Sequence, residues 1–127
     1  MSLATKVTTV LRPNIWSDIH EPAAANKATK TKAAPGAGKR LVITSIHGTI
    51  ACGATAQTPI RLQLSEGATV IRSWSVAAPA NGMGGVSIEM DDNGLVLADN
   101  TAAKLEFSAA GVTDSVQSVA MGGYIAS

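Results

Sequence analysis

Aromatic side chains are scarce in this 127-residue sequence: Trp16, Trp74, Phe107 and Tyr124 are all it has. Rings usually carry much of a core. Here aliphatic and small residues must fill it, with 22 Ala, 12 Gly, 12 Thr and 11 Ser. Such a core is thin and closely packed, as between two sheets. Charge is scarce as well, at 15% against about 25% in typical soluble domains. The 46% of hydrophobic residues excludes a mostly disordered chain. A domain of this length can bury roughly two thirds of its unfolded surface, so it needs no metal or disulfide to fold. Cys52 is the only cysteine, which excludes a disulfide-stapled scaffold. Long apolar runs are missing too. The first sixteen residues have none of signal-peptide length. The longest fairly apolar stretch without acidic or basic residues, 41–60, holds Ser45, His47, Gly48, Gln57 and Pro59 and does not read as a membrane span.

The net charge of +1 hides an asymmetry. Residues 1–40 carry seven basic and two acidic side chains, and residues 41–127 carry three basic and seven acidic. A basic leader on an acidic body suggests two roles. Composition changes at the same place. Residues 22–38 (P-A-A-A-N-K-A-T-K-T-K-A-A-P-G-A-G) contain no large apolar side chain, and Pro22, Pro35 and the glycines bracket the run. The segment reads as an extended arm, which divides the chain into a basic N-terminal arm, 1–38, and a body, 39–127. Within the arm, residues 6–11 (K-V-T-T-V-L) fit one short strand ending before Pro13.

The body reads as strands. Residues 41–46 are rich in Leu, Ile and Val, and 49–52 continue them after an expected kink at Gly48. Ile60, Leu62 and Leu64 alternate with Arg61, Gln63 and Ser65. Val70, Trp74 and Val76 share a face on which Arg72 is an exception. Residues 81–85 (N-G-M-G-G) read as a flexible loop. Val86, Ile88 and Met90 alternate, Asp92-Asn93-Gly94 is a turn signal, and 95–98 form a short strand. Leu105 and Phe107 oppose Lys104 and Glu106, and 115–125 close the chain within the sheet. About eight short strands at intervals of roughly ten residues predict an all-β antiparallel β-sandwich, jelly-roll-like.

Reactive motifs are weak. Pro35–Arg40 (P-G-A-G-K-R) invites a phosphate-loop reading. It fails because Ala33 stands where the first glycine belongs, Arg40 replaces Ser/Thr, and a strand follows instead of a helix. His20, His47 and Cys52 do not complete a metal set, and a strand would point His47 and Cys52 to opposite faces. No G-x-S-x-G elbow is present. Asp91, Asp92 and Asp99 lack calcium-loop spacing, because Leu95 occupies the fifth position, and they read as solvated turn residues. The sequence therefore predicts no enzyme, no cofactor and no metal. Lys27, Lys30 and Lys32, with Lys39 and Arg40, are the candidates for a partner. No aromatic residue interleaves them for base stacking, which favours protein over nucleic acid. A solvated linker is the plainer alternative.

The run A-G-K-R-L-V-I-T-S-I (37–46) leads a body containing G-A-T-V-I-R-S-W (67–74), A-A-P-A-N-G (77–82), G-L-V-L-A-D-N-T-A-A-K-L (94–105) and G-G-Y-I-A (122–126). This order resembles small β-sandwich structural proteins of tailed bacteriophages, especially capsid decoration (cement) proteins. It covers residues 37–127 and is a style of sequence, with no catalytic signature. The resemblance implies a homotrimer on the outer capsid surface that clamps neighbouring major capsid subunits. A tail, fibre or receptor-binding component is the alternative, with loops 81–85 and 109–114 and the aromatics Trp74 and Tyr124 as its candidate ligand sites. On the decoration reading, residues 1–35 reach onto the shell or a neighbour. Trp16 is then the anchor, flanked by Ile15 and Ile19. Alternatively, Trp16 caps the chain's own core.

Overall fold

The computed structural model describes residues 15–91 and 93–127. Among them there are nine strands and no helix, so none is present that is long and apolar enough to cross a membrane. The strands are β1 (Trp16–His20), β2 (Thr29–Lys32), β3 (Arg40–Ala51), β4 (Gln57–Glu66), β5 (Thr69–Ala78), β6 (Met83–Glu89), β7 (Leu95–Val96), β8 (Ala103–Phe107) and β9 (Val116–Ala126). They form two antiparallel sheets. Sheet A has the order β1-β9-β3-β6, with β7 also on β3, and sheet B has the order β2-β8-β4-β5. The pairs β1–β9, β2–β8, β3–β6 and β4–β5 form one long folded ribbon. Wrapping it sets β9 beside β3 and β8 beside β4. That is a jelly roll, in which both sheets contribute to one core.

The alternating strands behave as their patterns predict. On β4, Leu62 and Leu64 are fully buried, and on β8 so are Leu105 and Phe107. On β3 the buried residues Leu41, Ile43, Ile46 and Ile50 do not keep one parity. A β-bulge between Ile43 and Ser45 inserts one residue and returns Ile46 and Ile50 to the inner face. Gly48 does not kink the strand, which runs unbroken to Ala51. Its hydrogen faces the other sheet, where a Cβ would lie 2.5 Å from a Leu62 methyl. A second bulge, in β5 opposite Leu64 and Ser65, turns Ile71 toward the core. Val70 and Arg72 are therefore both exposed, contrary to the expected inward Val70.

Two further expectations are corrected. Residues 83–85 are not a loop but the first three residues of β6, paired with Ala51, Ile50 and Thr49. The glycines there allow close approach, since a Cβ on Gly84 would overlap the Ala77 carbonyl. The arm boundary at 38 also moves. Residues 16–20 pair with β9 in sheet A, and residues 29–32 pair with β8 in sheet B. A polar tetrapeptide, T-K-T-K, makes an edge strand because it needs only backbone pairing on one side. The expected strand at 6–11 lies outside the described residues, as does Asp92.

One end of the sandwich is closed by buried amides. Gln117, fully buried, accepts from the Ala28 N–H at 2.8 Å and donates to the Ala109 carbonyl at 2.9 Å. Gln57 accepts from the Val112 N–H at 2.9 Å, and the Ser115 hydroxyl donates to the Val112 carbonyl at 2.6 Å. The 109–114 connection is thus held by its own neighbours.

Candidate functional site

Of the basic residues singled out in the sequence, Lys27 and Lys32 are engaged within the fold, while Lys39 and Arg40 are exposed where β3 begins. Lys27 and Lys104 reach the Glu106 carboxylate at 3.3 and 3.2 Å, and the Thr29 hydroxyl donates to it at 3.1 Å. Lys30 and Lys32 stand opposite Leu105 and Ala103, on the inner side of β2. The Lys32 ammonium lies 5.5 Å from the centre of the Trp16 ring, its stem covering apolar surface at the edge of the sandwich. Trp16 itself is 7% exposed and packs in the core, so it is not available as a partner anchor. Among the described residues its indole N–H has no hydrogen-bond partner. Ile15 and Ile19, by contrast, are 58% and 66% exposed.

Burial raises the pKa of Glu106, but hydrogen bonds from Lys104, Lys27 and Thr29, with the Lys27 charge, outweigh it and hold the carboxyl below its ordinary range. A carboxyl with a lowered folded-state pKa stabilises the fold above its unfolded-state value. That contribution is lost as pH falls through the folded-state value. The urea midpoint is therefore expected to drop with acidification below the usual glutamate range. Glu106→Gln should lower the neutral midpoint and reduce that drop; an unchanged acid limb would contradict it.

The remaining candidate chemistry stays dispersed. The Asp91 carboxylate accepts from the N–H groups of Asn93 and Gly94, at 3.0 and 3.3 Å, which is turn chemistry. Gly36 and Gly38 have positive φ and form a turn that enters β3. Cys52 packs against the core while His47 faces outward. Among the described residues no three His, Cys, Asp or Glu side chains gather as a metal set.

The distinctive surface is the outer face of sheet A. The strand registers give its rows directly. Ile19, Ala120, His47 and Ser87 form one row, and Ser17, Gly122, Ser45 and Glu89 the next. Tyr124, Val42 and Val96 form a third. Val42 is only 2% exposed although it points away from the core between Leu41 and Ile43. These three rows carry one acidic residue, and Arg40, paired with Ala126, adds one basic residue at the end of the same face. The matching rows of sheet B read Thr29, Glu106, Gln63, Ser73 and Thr31, Lys104, Ser65, Val70, an ordinary polar exterior. The five exposed large hydrophobic residues among the described ones divide the same way. Ile19, Met83 and Val96 lie on the outer face of sheet A and Ile15 immediately precedes β1, which leaves only Val70 elsewhere.

At the centre of that face is a trio the sequence did not reveal. The His47 ring hydrogen-bonds Ser87 Oγ through Nδ1 at 2.8 Å, and its Nε2 lies 2.9 Å from Glu89 Oε1. His47 and Ser87 are direct cross-strand partners and Glu89 is diagonal to them. The order hydroxyl, imidazole, carboxylate is that of a nucleophile and its base. Here, however, it sits on an open face with the Glu89 side chain 70% exposed, and water weakens such a relay. The trio acts as a cross-strand polar lock that satisfies the face's one carboxylate. No signal in the sequence could have shown it, because 40 residues separate His47 from Ser87 and only the register joins them.

Comparison with known proteins gave no match to any family model, to any curated protein or to any solved structure.

Proposed function

We propose that this chain is a non-enzymatic virion structural protein that decorates a bacteriophage capsid, binding between major capsid subunits on its outer surface. The observation that carries the reading is the sparsely charged, apolar-rich outer face of sheet A. Among the described residues, four of the five exposed large hydrophobic side chains lie on or beside that one sheet face, a pattern that favours membership of an assembly. Jelly rolls recur in capsid proteins, lectins and cupins, so the fold fits without deciding. The resemblance to decoration proteins favours the capsid. The tail or fibre reading gains less support. Its candidate loop 109–114 is tied down by Gln57, Gln117 and Ser115, and residues 83–85 belong to a strand.

With β1 and β2 built into the sheets, the part of the leader left to reach a shell is 1–14. The experiment is co-sedimentation of the protein with shells of the major capsid protein of the same virion. Full-length chain should bind, and a chain lacking residues 1–14 should keep its strand signature by circular dichroism but occupy fewer sites. Absence of shell binding by the full chain would end the decoration reading. Equal occupancy by both forms would remove the role given to residues 1–14.

A further inference from the structure

We propose that the outer face of sheet A is the contact between two copies of this chain, packed face to face about a two-fold axis. The inference rests on the face just described and not on the identity of the shell.

Three observations select a second copy as the occupant. First, the face is electrically self-compatible. A two-fold contact sets a patch against itself, so any uncompensated charge on it would meet its own kind. This face carries two isolated charges: Arg40, exposed at the end of the face where β3 begins, and Glu89, whose carboxylate is held by the His47 ring at 2.9 Å. They sit apart and away from the Ala120–Gly122 stretch, so a two-fold contact centred there need not set either against its own copy, and a strongly charged partner would find little to complement.

Second, the relief suits sheet-on-sheet packing. Low ground at Ala120, Gly122 and Ser45 lies beside the raised side chains of His47 and Tyr124, and exposed Ile19 and Val96 stand toward opposite edges. Two sheets pack about 10 Å apart when their facing side chains interdigitate. Raised side chains set next to low ground allow that: the Ile19 flank of one copy meets the Ala120–Gly122 hollow of the other.

Third, the area is adequate. Four strands at about 4.8 Å spacing, with side chains, span roughly 19 Å, and nine residues along β9 span about 27 Å. That is roughly 500 Å² of face per copy, so about 1,000 Å² in total, near the lower limit of specific interfaces. The pair should therefore form at micromolar concentrations, reversibly.

The test is sedimentation velocity on the full chain from about 1 to 200 μM, paired with native mass spectrometry. The expected species is a dimer of twice the 12.9 kDa chain mass, in concentration-dependent exchange with monomer. Ile19→Lys, at a position exposed enough not to threaten folding, should weaken dimerisation at least tenfold. Ala120→Arg, at the centre, should abolish it. Gln63→Lys, on the outer face of sheet B, should leave it unchanged. A monomer throughout the range would overturn the proposal, as would a dimer indifferent to Ile19→Lys and Ala120→Arg. A trimer insensitive to both substitutions would also overturn it, while leaving the decoration reading standing. Loss of shell binding with an intact, face-dependent dimer would do the reverse.

Discussion

Replacing Phe107 by alanine is expected to destabilise the protein by about 3–5 kcal/mol, a large part of the roughly 5–15 kcal/mol that holds a domain folded. Phe107 is the only phenylalanine and is fully buried. It stands opposite Leu62 on the central strand of sheet B. The cost of such a deletion depends on whether the site can collapse. Here it cannot do so easily. The Phe107 N–H is bonded to the Ala28 carbonyl at 3.1 Å, and the next residue's N–H to the Arg61 carbonyl at 2.7 Å, so the backbone is pinned on both sides. Ala28, whose carbonyl meets the Phe107 N–H, is fully buried and has no side-chain length with which to fill a void. Chemical denaturation should show the full loss as a lower midpoint with an unchanged slope. Phe107→Leu, which keeps most of the volume, should lose less than about 1.5 kcal/mol. Equal losses for the two would mean that ring volume is not what matters.

Gln117→Leu should lose about 1–3 kcal/mol, despite being a change from polar to apolar in a fully buried place. The amide accepts from the buried Ala28 N–H and donates to the carbonyl of Ala109, an exposed residue that water can reach. The cost comes mainly from leaving the Ala28 N–H without its partner. The local reading is sharper than the global one. Amide exchange at Ala28 should accelerate far more than at Leu64 or Leu105 in the opposite sheet, because the bond lost belongs to the chain between β1 and β2. Uniform acceleration would mean that the amide acts only through overall stability.

The sequence made the body legible where its strands are half buried. On β4 and β8 the alternation of Leu62 and Leu64, and of Leu105 and Phe107, matches the pleat residue by residue. It was misleading where a bulge resets parity. Val70 looked inward because period two was carried across Ile71, the extra residue that breaks it. The stretch at Leu41, Val42, Ile43 and Ile46 fits no single period until Thr44 is set aside. Glycine was ambiguous for another reason. The same residue that frees a loop also lets two backbones touch, and at Gly84 the second use holds. The leader was the largest departure. Four polar residues carry no burial signal, so Thr29–Lys32 is recognisable as a strand only from its ladder to β8. The candidate face was invisible for the same reason: Ile19, Ala120, His47 and Ser87 lie on four strands that only the register sets side by side.

The position of β9 between β1 and β3 has a consequence for how the protein is made. Trp16 pairs across from Gly123, so β1 emerges from the ribosome well before its neighbour β9 exists. At about 5–20 residues per second, the intervening hundred residues take roughly 5–20 s. During that interval β1 has no neighbour in its sheet, and β3 lacks the one that β9 will supply. A nascent chain stalled before Val116 would expose Trp16, Ile19 and the inner edge of β3 together. Chaperone capture of the growing chain should therefore persist until β9 has emerged, and then fall.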